Sequence, residues 1–144
     1  MKSHTLRVQV EFGDCDPAGI VYFPNFFRWV DAAGRRFFIA CGLPSWLETE
    51  ATLGIIGTPI VSTETRFLSP ASYGDELDIE TTIAEWRGRS FVFRHVIRRA
   101  DDVLVEVKEV RVFARRIEGQ RHRIQAVPVP PEFRALCEAP ETGR

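Results

Sequence analysis

The chain has 144 residues, 44% of them hydrophobic and 27% charged, and a formal net charge of −1. That length suits one domain with a real core rather than two, and the near-neutral balance removes any global electrostatic case for binding nucleic acid or an anionic membrane surface. Three cysteines (Cys15, Cys41, Cys137), odd in number and without a C-x-x-C pair, point to reduced thiols and a cytoplasmic setting. Met1 is not followed by an apolar h-region, and no apolar run approaches a membrane-spanning length.

From Leu6 to Phe12, apolar Leu6, Val8, Val10 and Phe12 alternate with polar residues, the period of a half-buried strand. Gly13 to Gly19 carries Gly, Asp and Pro at turn density. From about Pro24 to Ala40, Phe26, Trp29, Val30, Ala33, Phe37 and Ala40 recur at helical spacing; Pro24 suits a first turn, and Gly42 with Pro44 supplies the stop. Such a helix is roughly 25 Å long and bulky on nearly every side, so it is expected to be largely enclosed.

Ser45 is placed to cap a short second helix reaching Leu53, after which Gly54 and Gly57 loosen the chain. Ile60–Phe67, Glu76–Trp86, Phe91–Arg99 and Val103–Arg115 read as long strands, and their short separators favour antiparallel hairpins over crossovers. Pro128, Pro130 and Pro131 break the pattern before a final short helix around Glu132–Glu138. The expected architecture is α+β: one long helix wrapped by a curved antiparallel sheet of about five strands, with an exposed edge that a second copy would cover. Residues 1–138 are expected to form the single domain and 139–144 a tail.

The loop-to-helix segment carries the chemistry. Asp16 precedes a helix N-terminus, where unpaired backbone N–H groups and the macrodipole favour negative charge. A carboxylate beside such N–H groups is an arrangement that hydrolysis of an activated acyl group uses: the carboxylate works on the carbonyl or its water, and the N–H groups hold the oxyanion. Asp14 reads as a carboxylate that orders the loop. Cys15 reads as a small filler, because no His lies near it in sequence and the flanking carboxylates disfavour its thiolate.

Asp31, in the middle of an aromatic helix, is either a ligand-binding acceptor, or a residue on a solvated stripe or paired with Arg28 or Arg35. His4, His95 and His122 lack metal-ligand spacing and read as surface or strand residues. Arg98-Arg99, Arg115-Arg116 and Arg121/Arg123 read as solvated strand ends, a subset of which could hold a phosphate. No G-x-S-x-G elbow, P-loop or G-x-G-x-x-G fingerprint is present, which argues against a serine hydrolase, a nucleotide hydrolase or a dinucleotide enzyme.

The run E-F-G-D-C-D-P-A-G-I-V at 11–21 resembles the hotdog-fold thioesterases, in particular the bacterial 4-hydroxybenzoyl-CoA thioesterases of the Pseudomonas type. So do Arg28-Trp29 with Asp31-Ala33, C-G-L-P at Cys41–Pro44, G-T-P-I-V-S at Gly57–Ser62, A-S-Y at Ala71–Tyr73, and E-W-R with S-F-V at Glu85–Arg87 and Ser90–Val92. The resemblance runs from about Glu11 to Cys137. Its D-x-D-x-x-G-I-V-Y-F-x-N core is shared by acyl thioesterases of several substrate classes; the additional matches point to an aromatic acyl group.

The resemblance implies a hotdog fold and a hydrolase releasing an aromatic acid, 4-hydroxybenzoate above others, from coenzyme A. It implies Asp16 as the catalytic carboxylate, the Phe23 backbone N–H as oxyanion donor, and Tyr22, Asp31 and Thr58 as substrate-binding residues, with Asp31 accepting from the ring hydroxyl. Arg87, Arg89 and Ser90 fall where the family holds the phosphates of coenzyme A. No metal or redox cofactor is implied, coenzyme A being part of the substrate; neither nucleic acid nor membrane is an expected partner. Active sites of this fold form between two subunits, so a homodimer or a homotetramer built as a pair of dimers is expected. Phe23 stands where close relatives tend to have Tyr, Phe26-Phe27 replaces a more polar pair, and Gly88 interrupts a basic run. Two alternatives remain: a thioesterase for short or medium acyl-CoA or acyl-carrier-protein substrates, and a hotdog protein that binds acyl-CoA without turnover.

Overall fold

In a computed structural model that describes residues 2–140, the strands run β1 (Ser3–Gln9), β2 (Ile55–Gly57), β3 (Ile60–Phe67), β4 (Glu76–Trp86), β5 (Ser90–Arg99), β6 (Asp102–Ile117) and β7 (Gln120–Val127). The helices are α1 (Pro24–Cys41), α2 (Trp46–Leu53) and α3 (Pro131–Glu138). All seven strands join one antiparallel sheet in the order β1-β4-β5-β6, with β2, β3 and β7 each paired to β6. Part of the expected tail, residues 141–144, lies outside the described residues.

The sheet has seven strands rather than about five. β7 escaped notice because its first six residues are exposed on both faces, so it carries no alternation of apolar and polar residues. β2 is only three residues long. The first strand also ends at Gln9 rather than Phe12. Asp14 accepts from the Glu11 N–H at 2.8 Å and closes a short 3-10 turn, Phe12–Asp14, which turns Phe12 out against Tyr73.

Helix α1 follows the expected bounds, starting at Pro24 and ending in the left-handed Gly42. It packs against β1 and β4 of the sheet and buries Phe26, Trp29, Val30, Ala33, Phe37 and Phe38. It is not largely enclosed: Arg28, Asp31, Ala32, Arg36, Ile39 and Ala40 form a stripe exposed in the single chain. At Gly34 the helix approaches the sheet so closely that a Cβ would meet Phe93 Cε2 at 3.0 Å. Helix α2 is capped by Ser45, whose hydroxyl accepts from the Glu48 N–H at 3.2 Å. Helix α3 docks on α1 where the Cys41 and Cys137 thiols meet; the hydrogen bond with Cys41 and burial push the Cys137 thiol far above its ordinary pKa.

The core divides into two clusters. One gathers Val10, Trp29, Val30, Leu77, Ile79 and Ile97; the other is aromatic, with Phe37, Phe38, Phe91, Phe93, Phe113 and Phe133. Between them a row of polar side chains crosses the sheet. Thr81 meets His95 at 2.7 Å, His95 Nε2 donates to Glu109 at 2.7 Å, and Glu109 accepts from Arg111 at 2.8 Å. Thr81 and His95 are fully buried, Glu109 is 3% exposed and Arg111 9%. Each member has the partner that burial of a polar group demands.

Candidate active site

The loop after β1 is held from several sides. The Val21 N–H donates to Ala71 O at 2.8 Å and the Asp16 N–H to Ile20 O at 2.9 Å. Asn25 Nδ2 reaches back to Asp14 O at 2.8 Å, and the Tyr22 N–H donates to the same oxygen at 2.9 Å. Asp14 also forms an ion pair with Arg28 at 3.0 Å, so it does order the loop. Cys15 packs against the first core cluster and its thiol contacts Glu11 O at 3.8 Å, as a filler does.

Asp16 is half-buried. Its Oδ1 accepts from the Ala18 N–H at 2.8 Å, an Asx turn that fixes the carboxylate; Oδ2 has no partner among the described residues. At the start of α1, Pro24 has no N–H, and the Asn25 and Phe26 N–H groups are spent on Tyr22 O and Phe23 O at 2.9 and 3.1 Å. The Phe23 N–H is left with no acceptor among the described residues, an open donor at the positive end of the helix.

Around that end Phe23, Phe26, Phe67, Val21, Pro70 and Ala71 line an apolar cavity of about 380 Å³. Phe67 packs edge-on against Phe23 and Phe27, with ring centroids 6.2 Å away in both cases. Tyr22 and Phe23 stay 53% and 56% exposed in the single chain.

A second cavity of about 340 Å³ opens farther along α1, where Asp31 and Gly34 face Trp46, Thr58, Phe93 and Arg111. Two residues singled out from sequence, Asp31 and Thr58, therefore share one wall system. Gly57, at φ +149°, turns the chain there in a conformation that L side chains rarely adopt. Asp31 does not pair with Arg28 or Arg35. Its Oδ1 accepts from Arg111 Nη2 at 3.1 Å, a residue 80 positions on, while Arg28 serves Asp14 and Arg35 lies over the Trp46 ring at 4.8 Å.

Arg111 also donates from Nη1 to Thr58 O at 2.8 Å. Burial works to raise the Glu109 pKa, but the hydrogen bonds from His95 and Arg111 and the nearby charges outweigh it and hold this carboxyl below its ordinary range. Burial likewise opposes the charge on Arg111, and Glu109 and Asp31 together more than restore it.

The single chain does not bring every sequence-predicted residue to one place. Asp16, Tyr22 and Phe23 line no wall of the Asp31 cavity, and eight residues of helix, about 12 Å of rise, separate Phe23 from Asp31. Arg87, Arg89 and Ser90 stand at the β4–β5 turn, closed by the Arg87 N–H to Ser90 O at 2.8 Å. Arg87 spends its guanidinium on Glu85, at 3.2 and 3.1 Å. Arg89 touches Ala126 O at 3.3 Å and is the less engaged cation. Several other arginines read as solvated are paired with acids, Arg99 with Asp75 at 2.9 Å and Arg116 with Glu50 at 3.1 Å.

Sequence reasoning missed Thr81, Glu109 and Arg111, and it left His95 as a surface or strand residue when it is a fully buried strand residue. Phase held a signal. Glu109 and Arg111 alternate in step with Val105, Val107 and Phe113, whose side chains face inward, but out-of-step Val110 and Val112 blurred it.

A long helix packed on a large antiparallel sheet, with a carboxylate loop at the helix start, defines the hotdog thioesterase class. The model of the thioesterase-like superfamily matches residues 10–136, and the chain belongs to that family. A 4-hydroxybenzoyl-CoA thioesterase from Pseudomonas sp. (strain CBS-3) is 49% identical over 141 residues, covering 94% of this chain and 98% of that protein. Among solved structures, an Asp-to-Asn variant of 4-hydroxybenzoyl-CoA thioesterase complexed with 4-hydroxybenzoyl-CoA superposes with a TM-score of 0.88 at 46% identity, over 95% of this chain and 99% of that one. A gentisyl-coenzyme A thioesterase follows at TM-score 0.76 and 32% identity, over 92% and 99%.

Proposed function

We propose that this protein hydrolyses an aromatic acyl-CoA thioester, with 4-hydroxybenzoyl-CoA as its substrate, to the free acid and coenzyme A. The observation that carries the reading is the pairing of an anchored carboxylate having one free oxygen, Asp16, with the open Phe23 N–H at the start of α1, in a chain 49% identical to a 4-hydroxybenzoyl-CoA thioesterase. Asp16 either attacks the thioester carbonyl, expelling the CoA thiolate to leave an anhydride that water then opens, or takes a proton from the water that attacks. In both routes the Phe23 N–H stabilises the oxyanion. A thioester is already activated, so the chemistry asks for no metal or redox cofactor. That an Asp-to-Asn variant of the relative was obtained with 4-hydroxybenzoyl-CoA bound supports a carboxylate in the hydrolytic step.

Asp31 accepts the hydrogen bond of the ring hydroxyl, with Thr58 and Tyr22 bounding the acyl group and Arg87, Arg89 and Ser90 meeting the CoA phosphates. The working unit is a homodimer or a pair of dimers. In support, β3 pairs with β6 on one side only and exposes Ile60, Val61 and Phe67, an apolar open edge suited to a second copy. Residues 1–138 act as one domain. Among the described residues no helix is long and apolar enough to cross a membrane, and we place the enzyme in the cytoplasm.

The gentisyl-CoA relative keeps a second reading in view, a different hydroxylation pattern on the ring. A steady-state screen across aryl-CoA, aliphatic acyl-CoA and acyl-carrier-protein thioesters tests the reading. The expected result is 4-hydroxybenzoyl-CoA ahead of benzoyl-CoA and far ahead of aliphatic esters. Preference for an aliphatic or carrier-protein ester contradicts it, and tight binding without turnover makes the protein a sensor.

A further inference from the structure

We propose that Arg111 is the positioning residue that gives the acyl pocket its preference for a ring hydroxyl, by holding Asp31 in place and presenting a hydrogen-bond donor beside it. This rests on the reading of Asp31 as the hydroxyl's acceptor. Asp31 sits on the exposed stripe of α1 with its side chain 71% accessible, where a carboxylate on a free rotamer would be a poor reader of ring position. Arg111 reaches it from the sheet with Nη2 to Oδ1 at 3.1 Å, leaving Oδ2 without a partner among the described residues.

The guanidinium is itself clamped. Nε and Nη2 grip the two oxygens of Glu109 at 3.2 and 2.8 Å, and Nη1 donates to Thr58 O at 2.8 Å. Glu109 is fixed by His95 and, through it, by Thr81 on β4. Arg111 thus uses four of its five N–H groups, and the fifth, on Nη1, has no acceptor among the described residues. Asp31 and Arg111 line the same cavity, one with a free carboxylate oxygen and the other with a free N–H. A phenol hydroxyl is donor and acceptor at once, so the pair matches both halves of it. A planar fork fixed on two acids is a geometry that lysine, a point charge on a flexible stem, does not reproduce.

The test is the ratio of kcat/KM for 4-hydroxybenzoyl-CoA to that for benzoyl-CoA, in the wild type, Asp31→Ala, Arg111→Lys, the charge-balanced Glu109→Gln/Arg111→Gln, and Asp31→Ala/Arg111→Lys. Both Arg111→Lys and the balanced double variant avoid leaving a lone buried charge. The ratio should fall about tenfold in each of them, the scale of one hydrogen bond to a charged group. Arg111→Lys should change it no further once Asp31 is Ala. If Asp31→Ala leaves the ratio at its wild-type value, the reading of Asp31 fails. If Asp31→Ala lowers it and Arg111→Lys does not, the role of Arg111 is overturned. The wild type gives an arm that no folding defect touches: 4-hydroxybenzoate should inhibit about tenfold more tightly than 4-aminobenzoate, whose amino group donates to Asp31 but accepts poorly from Arg111. Equal inhibition by the two acids also overturns it.

Discussion

His95 Nε2 donates to Glu109 Oε1 at 2.7 Å where the two side chains are 0% and 4% exposed. A carboxylate accepts only, so Nε2 carries the proton, and the Glu109 charge is shared between His95 and the guanidinium of Arg111. Taking Glu109 away leaves the His95 Nε2–H and the Arg111 Nε–H buried without an acceptor, while Arg111 keeps Thr58 O and Asp31. Glu109→Ala is expected to cost about 3–5 kcal/mol, the scale of a broken buried ion pair. Urea unfolding measures it, and a loss below about 1 kcal/mol would show that water replaces the carboxylate.

The same group governs acid stability. Its pKa is held down in the folded protein by His95 and Arg111 against the pull of burial, while in the unfolded chain a Glu titrates at about 4.3. The stabilisation is therefore complete above that value and is lost as the pH falls through the lower, folded pKa. Asp75 shifts down through the Ser72 N–H and Arg99, and Asp78 through Arg7. Urea midpoints should fall from pH 5 to pH 3, and less steeply in Glu109→Gln; parallel profiles for wild type and variant would contradict this assignment.

Gly34 lets α1 meet the sheet. A Cβ there would stand 3.0 Å from Phe93, whose ring is held by Phe37, Phe38 and Phe91 with centroids at 5.7, 5.3 and 5.0 Å and cannot easily retreat. Gly34→Ala should destabilise by about 1–3 kcal/mol through overpacking, despite a helix-propensity gain of about 1 kcal/mol. A rise in melting temperature would mean that the ring has room to move.

The outline of the fold was legible because its determinants are local. The apolar spacing of Phe26, Trp29, Val30, Ala33 and Phe37, with Pro24 before it and Gly42 after, gave α1 within a residue, and long runs joined by short turns gave β3 to β6. β7, solvated on most of its length, carries no pattern to read. In the site, the loop around Asp16 was readable as a contiguous stretch. The partner of Asp31 was not, since helix spacing nominates Arg28 and Arg35, and only the sheet brings Arg111 from 80 residues away.

Binding of the nucleotide end should depend on Arg89 more than on Arg87, which is neutralised by Glu85. Arg89→Ala is expected to raise KM for a CoA ester several-fold with kcat nearly unchanged, and to leave a truncated thioester lacking the nucleotide unaffected. Equal effects on both substrates would make Arg89 a structural residue, acting through its contact with Ala126.

The central claim is that the Asp16 carboxylate carries out the hydrolysis, and its most direct test is kcat of Asp16→Asn on 4-hydroxybenzoyl-CoA. The amide keeps the acceptor that the Ala18 N–H needs but has neither the basicity nor the nucleophilicity of a carboxylate. A fall in kcat of at least about a hundredfold, the scale of a lost general base, is expected in a variant that melts like the wild type, with Cys15→Ser retaining most of its activity as the control. A folded Asp16→Asn enzyme with near-normal kcat would contradict the account.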